Sequence, residues 1–279
     1  MLNLEPISCG SVVRWSLPPS KSHMIRWLML ASQSSGSVAL RFSEIPGADV
    51  SAMADCLESM GAKIVRKDGE WTISGVGSRG FESPNKPLNC GNSGTTARLL
   101  TGLLSSQKFD TILTGDKSLS NRPMRRISDP LSKMNAKINS SNGKLPLKIE
   151  GSELTSTKID LDIPSAQIKS GLLLASLNTK GETIITENKI TRDHTEIMLQ
   201  SFGANIDVTK NNNKKLIKII GKKELVSKNV DVPNDLSSSA FFIVSALINN
   251  NSKVVLKNIN NNPTRNGLLI ALEKMGAKI

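Results

Sequence analysis

Tyrosine is absent from this chain, and rings of any kind are scarce: only 3% of the 279 residues are aromatic, all of them Phe or Trp. A composition that is 38% hydrophobic still supports a sizeable core, which must be built from Leu, Ile, Val, Met and Ala. The shortage of rings also removes the platforms on which single-stranded nucleic acids stack. The Lys-rich stretch from Lys210 to Lys228 therefore reads as a solvated hairpin loop, not as an RNA or DNA surface. Cysteine is nearly missing. Cys9, Cys56 and Cys90 are odd in number and form no CxxC pair, which argues against a disulfide scaffold and for a reducing compartment. Histidine is represented only by His23 and His194, too few for a His-based zinc centre. No Ser has a His–Asp pair at a spacing that suggests a nucleophilic triad. No run approaches the roughly 18 apolar residues of a membrane span. The opening MLNLEPISCG has neither the basic head nor the apolar core of a signal peptide. These absences predict a cytoplasmic protein with no membrane segment and no metal.

Charge of one sign is in excess. Lys and Arg number 36 against 24 Asp and Glu, a formal net charge of +12. Such a surplus serves solubility or attracts an anionic ligand, and the total alone does not choose between them.

What the chain does contain is a repeat. Four segments open with a polar, Ser-containing turn: PPSKSHMIRWLMLAS, GNSGTTARLLTGLLSS, PSAQIKSGLLLASLNTKG and NDLSSSAFFIVSALINN. Ser20, Ser93, Ser165 and Ser237 recur roughly every 72 residues. Each unit continues into a strand-like run: SVALRF, TILTGD, ETIITE and KVVLKNI. A second amphipathic helix then ends on one refrain: LESMGAKI, LSKMNAKI, LQSFGANI and LEKMGAKI. Gly61, Gly203 and Gly276, with Asn135 in the second copy, stand where a helix needs a left-handed terminating residue. A hairpin follows in the first three units, clearest in KIVRKDGEWTISG, where Asp68-Gly69 turns between two alternating runs. Each unit thus reads β-α-β-α-β-β over about 70 residues, which places the chain in the α/β (α+β) class. The fourth copy lacks its hairpin before Ile279, so the sequence is expected to be a fragment or a truncated protein. On that expectation residues 229–279 carry a partly exposed apolar face.

The chemistry is concentrated at the openings of the units. In SKSHMIRWLML, Ser20 reads as an N-cap, and the free backbone N–H groups behind it favour an anion. Lys21 and Ser22 add a cation and a hydroxyl there, while Arg26 shares the face of Ser22. Cations at a helix N-terminus are unfavourable without a counterion, and that misplacement points to a ligand. NCGNSGTTARLLTG repeats the layout with Gly91, Gly94, Thr95, Thr96 and Arg98, and serves equally as an ordinary helix entry. It matches neither the GxxxxGK[ST] loop nor GxGxxG. In GDKSLSNRPMRRISDPL, Pro123 is expected at a first helical position, directing Arg122. Arg125 and Arg126 are expected in solvent or paired. The third unit offers Ser165, Gln167 and Lys169, then Arg192, Asp193 and His194 in TRDHTE. Asp235 reads as the cap of the fourth opening helix.

Together, KSHMIR, GNSGTTARLL, the Arg-Pro of NRPM, SAQIKSGLLLAS and TRDHTE resemble the 5-enolpyruvylshikimate-3-phosphate synthase family, from about Leu17 to the end of the chain. The resemblance implies an enolpyruvyl transferase fold of repeated βαβαββ units, three to a domain. Residues 16–228 would form a complete three-unit domain that binds shikimate 3-phosphate. Residues 1–15 and 229–279 would belong to a partial second domain. It further implies transfer of the enolpyruvyl group of phosphoenolpyruvate to the 5-hydroxyl of shikimate 3-phosphate, with no metal or organic cofactor and a monomeric protein. Carried over by position, Lys21 touches both substrates and acts electrostatically, while Ser22 and Arg26 hold shikimate 3-phosphate. Gly94 and Arg122 hold phosphoenolpyruvate. Ser165, Ala166 and Gln167 form a contact motif for shikimate 3-phosphate, with Ala166 in place of the second Ser of many members. Thr191 or Arg192 touches the same substrate. The family's proton-shuttling Asp would lie in units that this chain does not contain, and Asp235 is not that residue. Two other readings stand beside this one. A non-catalytic anion-binding remnant of the family is one. A UDP-N-acetylglucosamine enolpyruvyl transferase is the other, disfavoured because GDKSLSNRP lacks the Cys usual in that enzyme.

Overall fold

The computed structural model describes residues 14–212 and 214–279; the expectations for MLNLEPISCG and Cys9 lie outside them. The first unit runs α1 (Lys21–Gln33), β1 (Ser37–Arg41), α2 (Ala48–Glu58), β2 (Lys63–Lys67) and β3 (Glu70–Ser74). The second runs β4 (Leu88–Asn89), α3 (Gly94–Ser105), β5 (Thr111–Thr114), α4 (Lys117–Ser120), α5 (Arg125–Ser132), β6 (Lys137–Ser141) and β7 (Lys144–Glu150). The third runs β8 (Lys158–Leu161), α6 (Ala166–Leu177), β9 (Glu182–Glu187), α7 (His194–Ser201), β10 (Asn205–Asn211) and β11 (Lys214–Ile220). The fourth contributes β12 (Val230–Asp231), α8 (Leu236–Ile248) and α9 (Gly267–Lys274).

Local chemistry accounts for these elements. Ser93 caps α3 by accepting from the Thr96 N–H at 3.2 Å, and Asp235 caps α8 by accepting from the Ser237 N–H at 2.8 Å. The refrain residues all take the left-handed conformation: φ is 95° at Gly61, 68° at Asn135, 76° at Gly203 and 95° at Gly276. Alternation is clean in β7, where Leu145, Leu147 and Ile149 face inward and the residues between them face water.

Each of three sheets has four strands, in the orders β12-β1-β3-β2, β4-β5-β7-β6 and β10-β11-β9-β8. Within each, a hairpin packs antiparallel on the central strand, and a short strand joins that strand's other edge in parallel. The second and third units supply their own short parallel strand. The first does not, contrary to the uniform β-α-β-α-β-β expectation: Val230 and Asp231 of the fourth unit pair there with Leu40 and Arg41. The chain thereby returns to its beginning and closes the first sheet.

The sheets lie outside and the opening helices inside. Every residue of α1 from Met24 to Ser32 is buried, as is every residue of α6 from Ile168 to Leu177. A helix apolar on all sides belongs in the centre of a domain. The backbones of α3 and α6 touch, since a Cβ on Gly102 would stand 2.0 Å from the carbonyl oxygen of Gly171. One continuous core, from Met24 to Val232, links the three units.

The fourth unit differs. KVVLKNI forms no strand beyond one bridge of Ile259 to Asn234, because no neighbouring strand offers it an edge among the described residues. No residue of α9 is buried, and Phe241 and Met275 are each 81% exposed. The expected exposed apolar face is present. No helix among the described residues is long and apolar enough to cross a membrane.

Candidate functional site

Ser20 occupies the N-cap position of α1, yet its hydroxyl bonds the His23 ring at 2.9 Å instead of a helix N–H. The Lys21 N–H donates to Asp235 Oδ2 at 3.3 Å, so the fourth unit supplies the carboxylate at this helix end. The Lys21 ammonium meets Asp49 Oδ2 of α2 at 2.9 Å. The counterion missing from the local sequence is therefore present in the fold. Half-exposed pairs of this kind contribute only about 0–1 kcal/mol, so a multiply charged ligand can draw Lys21 away.

Arg26 shares the face of Ser22, as expected, and donates from Nη1 to the Ser22 carbonyl at 2.9 Å. It is buried, with Nε donating to Thr195 Oγ1 at 2.8 Å and Nη2 to Ser170 Oγ at 3.0 Å. Burial pulls its pKa down to about 10, against an upward pull from Glu196 and with Arg192 and Arg265 adding repulsion. The guanidinium stays charged at neutral pH and keeps N–H groups for a ligand.

At the second opening, a Cβ on Gly94 would lie 2.8 Å from Arg98 Nη1 and 3.2 Å from Arg122 Nη1, so a side chain there would displace the tips of two guanidinium groups. Arg122 is held by Asn92 Oδ1 and, at 3.5 Å, by Ser118 Oγ. Pro123 lies outside α5, which starts at Arg125 behind Met124, so these contacts, and not a first-turn proline, aim Arg122. Arg125 and Arg126 are exposed, as expected. Arg98 joins the openings of the second and third units. Its Nη1 donates to Gln167 Oε1 at 2.8 Å and to the Gly94 carbonyl at 3.2 Å, and its Nη2 donates to the Pro123 carbonyl at 3.3 Å. Gln167 returns a bond from Nε2 to Thr95 Oγ1 at 2.9 Å. Burial and the charges of Arg122 and Arg126 lower the Arg98 pKa.

At the third opening Ser165 and Ala166 are half-buried, with Ser165 at the N-cap of α6. Lys169 is not part of the opening. It is fully buried, 2.8 Å from Glu187 Oε2 and 2.7 Å from Glu196 Oε1. Lys215 approaches the same carboxylates at 3.8 and 3.2 Å, also buried, although its stretch reads as a solvated hairpin. Two Lys and two Glu thus form a charge-balanced quartet that ties α6, β9, α7 and β11 together. The Thr191 hydroxyl donates to Glu187 Oε1 of this quartet, whereas Arg192 is exposed.

Sequence reading missed the meeting of His23 and His194, whose ring centroids are 4.5 Å apart. Burial lowers the His23 pKa to about 4, with Arg26 and Arg265 adding to the effect and Asp235 opposing it. Burial likewise lowers His194 to about 3, reinforced by His23, Arg26 and Arg265. Both rings are neutral at pH 7. No cluster of three or more His, Cys, Asp or Glu that could hold a metal occurs among the described residues.

A continuous set of contacts therefore joins the openings. Lys21 reaches Asp49, whose carbonyl accepts from Thr96 Oγ1 at 3.3 Å; Thr95 leads to Gln167 and Arg98; Arg26 reaches α6 and α7. The opposite ends of α1, α3 and α6 border a cleft of about 450 Å³ lined by Gln33, Ser106 and Asn178. Helix C-termini present carbonyl oxygens, so the anion-favouring end is the one that carries Lys21, Arg122 and Gln167.

Three four-stranded sheets wrapped around central helices, whose polar openings are tied together by side-chain hydrogen bonds, define an α/β repeat protein. The model of the family described as EPSP synthase (3-phosphoshikimate 1-carboxyvinyltransferase) matches residues 10–279, and the chain belongs to that family. It is 46% identical over 264 residues to a 3-phosphoshikimate 1-carboxyvinyltransferase of Ruthia magnifica subsp. Calyptogena magnifica, covering 94% of this chain and 60% of that one. The protein of the same name from Bacillus thuringiensis (strain Al Hakam) is 40% identical over 276 residues, covering 98% and 63%. The solved EPSP synthase of Acinetobacter baumannii superposes with a TM-score of 0.84 at 44% identity, over 95% of this chain and 59% of that one. The chain thus spans about 60% of the length of the relatives it matches.

Proposed function

We propose that this chain provides the shikimate 3-phosphate half of an enolpyruvyl transferase site. The reaction moves the enolpyruvyl group of phosphoenolpyruvate to the 5-hydroxyl of shikimate 3-phosphate and releases inorganic phosphate. The observation that carries this reading is the linkage of Lys21, Arg26, Gln167 and Arg98 across three helix openings, with Arg122 beside Gly94. On this reading residues 16–228 are the three-unit domain, and 1–15 with 229–279 belong to a second domain.

The physical task is to bring two polyanions together. Fixed cations offset their repulsion and align C2 of phosphoenolpyruvate with the attacking hydroxyl. Lys21 lies between the two substrates as an electrostatic catalyst. Ser22, Arg26, Ser165, Ala166 and Gln167 hold shikimate 3-phosphate. Arg192 joins them, because Thr191 is turned toward Glu187. Gly94 leaves room for phosphoenolpyruvate beside Arg122. As the new C2–O bond forms, C3 takes a proton and the hydroxyl loses one. The tetrahedral intermediate then loses phosphate from C2 and a proton from C3, which restores the double bond. Preorganised Lys and Arg groups stabilise the charge on the intermediate and on the departing phosphate. The proton carriers are groups other than those gathered here, since Asp235 is engaged with the Lys21 N–H, the Ser237 N–H and Arg265. The reading needs no metal or organic cofactor and no nucleic acid, and it fits a cytoplasmic, monomeric protein.

Calorimetric titration of this chain with shikimate 3-phosphate tests it. Lys21→Ala should weaken binding at least tenfold and leave the thermal melt unchanged. Equal affinity of the two proteins would refute the reading.

A further inference from the structure

Arg26 is held by two hydroxyls from another unit. Its Nε donates to Thr195 Oγ1 at 2.8 Å and its Nη2 to Ser170 Oγ at 3.0 Å, while the two oxygens lie 2.6 Å apart. The guanidinium fork thus meets a pair of acceptors much as it would meet the two oxygens of a carboxylate. The Ser170 hydroxyl spends its proton on the Ala166 carbonyl at 2.6 Å. The Thr195 hydroxyl must then donate to Ser170 Oγ, which leaves each oxygen free to accept from Arg26. The order of donors is fixed, from Arg26 through Thr195 and Ser170 to the backbone of Ala166.

The hydroxyl pair is itself braced. Lys169 precedes Ser170 on α6 and Glu196 follows Thr195 on α7, and these flanking residues form a buried ion pair at 2.7 Å. Lys169 also meets Glu187, and Lys215 meets both carboxylates. A buried ion pair need not add net stability. What this one fixes is the place of α7 against α6, and with it the spacing of the two hydroxyls.

The hydrogen-bond partners of Arg26 are all neutral: Thr195, Ser170 and the Ser22 carbonyl. A carboxylate in their place would orient the guanidinium equally well but would cancel its charge. Hydroxyls orient it and leave the charge for an incoming anion. One N–H on each terminal nitrogen remains for that purpose. Ser170 and Thr195 are only 1% and 3% exposed, so they act through Arg26 and not on a ligand directly. We propose that Ser170 and Thr195 are positioning residues that set the Arg26 guanidinium for an anionic group of the substrate. This rests on the reading of Arg26 as a holder of shikimate 3-phosphate, and it deepens that reading. The pair couples the opening of the first unit to α6 and α7 of the third, so Arg26 is aimed before any ligand arrives.

Shikimate 3-phosphate is titrated into the wild-type chain, Thr195→Val, Thr195→Ser, Arg26→Lys, the Arg26→Lys/Thr195→Val double variant and Lys21→Ala, with a thermal melt for each. Thr195→Val keeps the shape and removes the hydroxyl, and should weaken binding roughly tenfold. Thr195→Ser restores the hydroxyl and should bind nearly as the wild type does; a loss equal to that of Thr195→Val would overturn the inference. In the Arg26→Lys background Thr195→Val should add little further loss, because the fork it aligns is gone. Full additivity would mean that Thr195 affects binding by another route, and would also overturn it. A measurement on the wild-type chain covers the case in which Thr195→Val does not fold. The Arg26 Nε–H, assigned by its loss in Arg26→Lys, should give a proton–nitrogen NMR signal protected from exchange before ligand is added. A signal that appears only with shikimate 3-phosphate would show that the ligand orders the guanidinium, against the inference. Wild-type affinity in folded Thr195→Val, while Lys21→Ala has lost binding, overturns this inference alone. Absence of binding by the wild-type chain overturns the underlying reading and the inference with it.

Discussion

The third and fourth units open alike and end differently. PSAQIKSGLLLAS and NDLSSSAFFIVSALI each begin a helix behind a polar turn, and both helices form. Yet α6 is buried from Ile168 to Leu177, whereas α8 buries only Leu236, Ser239 and Ile243. The third unit completes a four-stranded sheet; the fourth gives its only strand, β12, to the sheet of the first. Helix formation follows local sequence, while burial depends on a sheet that another segment has to complete. The fourth unit accordingly keeps an apolar groove lined by Leu236, Ile243, Leu247, Val254 and Leu256.

The sharpest way to break this comparison is amide hydrogen exchange. Amides in the middle of α6 should exchange at least 10³-fold more slowly than those between Phe242 and Ile248, because a buried core element opens only with the whole domain. Equal protection would mean that the two units are held alike. Next in size, Lys169→Met should destabilise the chain by about 3–5 kcal/mol in urea unfolding, since it leaves two buried carboxylates sharing one cation. Asp235→Ala, which removes the cap of α8 and also the carboxylate beside the buried Arg265, should lower stability by about 2–3 kcal/mol. Comparable losses would erase the distinction. Gly102→Ala should cost about 2–3 kcal/mol, because the new methyl group meets the Gly171 carbonyl and the α3–α6 contact must open. A neutral Gly102→Ala variant would show that the central helices are not close-packed.

A further effect is a dependence on pH. His23 and His194 have folded-state pKa values of about 4 and about 3, below the ordinary 6.5, through burial first and neighbouring Arg charges second. The unfolded chain therefore binds more protons as pH falls below 6.5. Their contribution to stability is complete above that pH and is lost on acidification toward pH 4. Between pH 7 and 5.5 the loss should be about 2 kcal/mol for the pair. His23→Gln should flatten that slope in a series of urea titrations, and an unchanged slope would assign it to other groups.

Much of this could be read in advance, for identifiable reasons. The left-handed Asn135, the Asp68-Gly69 turn and the Asp235 cap depend on neighbours three or four residues away, and such signals lie in plain view. The positions of Lys169 and Lys215 were hidden because their partners, Glu187 and Glu196, lie on other elements. Nothing in KKLIKII itself separates the buried Lys215 from its solvated neighbours. Arg26 was read on the correct face, but Thr195 and Ser170, which hold it, come from the third unit. The failure of KVVLKNI to form a strand has the same cause. A strand needs an edge to pair with, and its own residues do not supply one.

Period, capping and composition thus settled, from the amino acids alone, that helices and hairpins would alternate in a repeated unit with polar, cationic openings. Which openings meet, which charges are buried, and which strand closes the first sheet were decided only when the units packed together. Those outcomes depend on contacts between residues far apart along the chain. Hydrogen bonds, ion pairs and burial act through distance in space, and the order of residues in a chain does not specify that distance until the fold has formed.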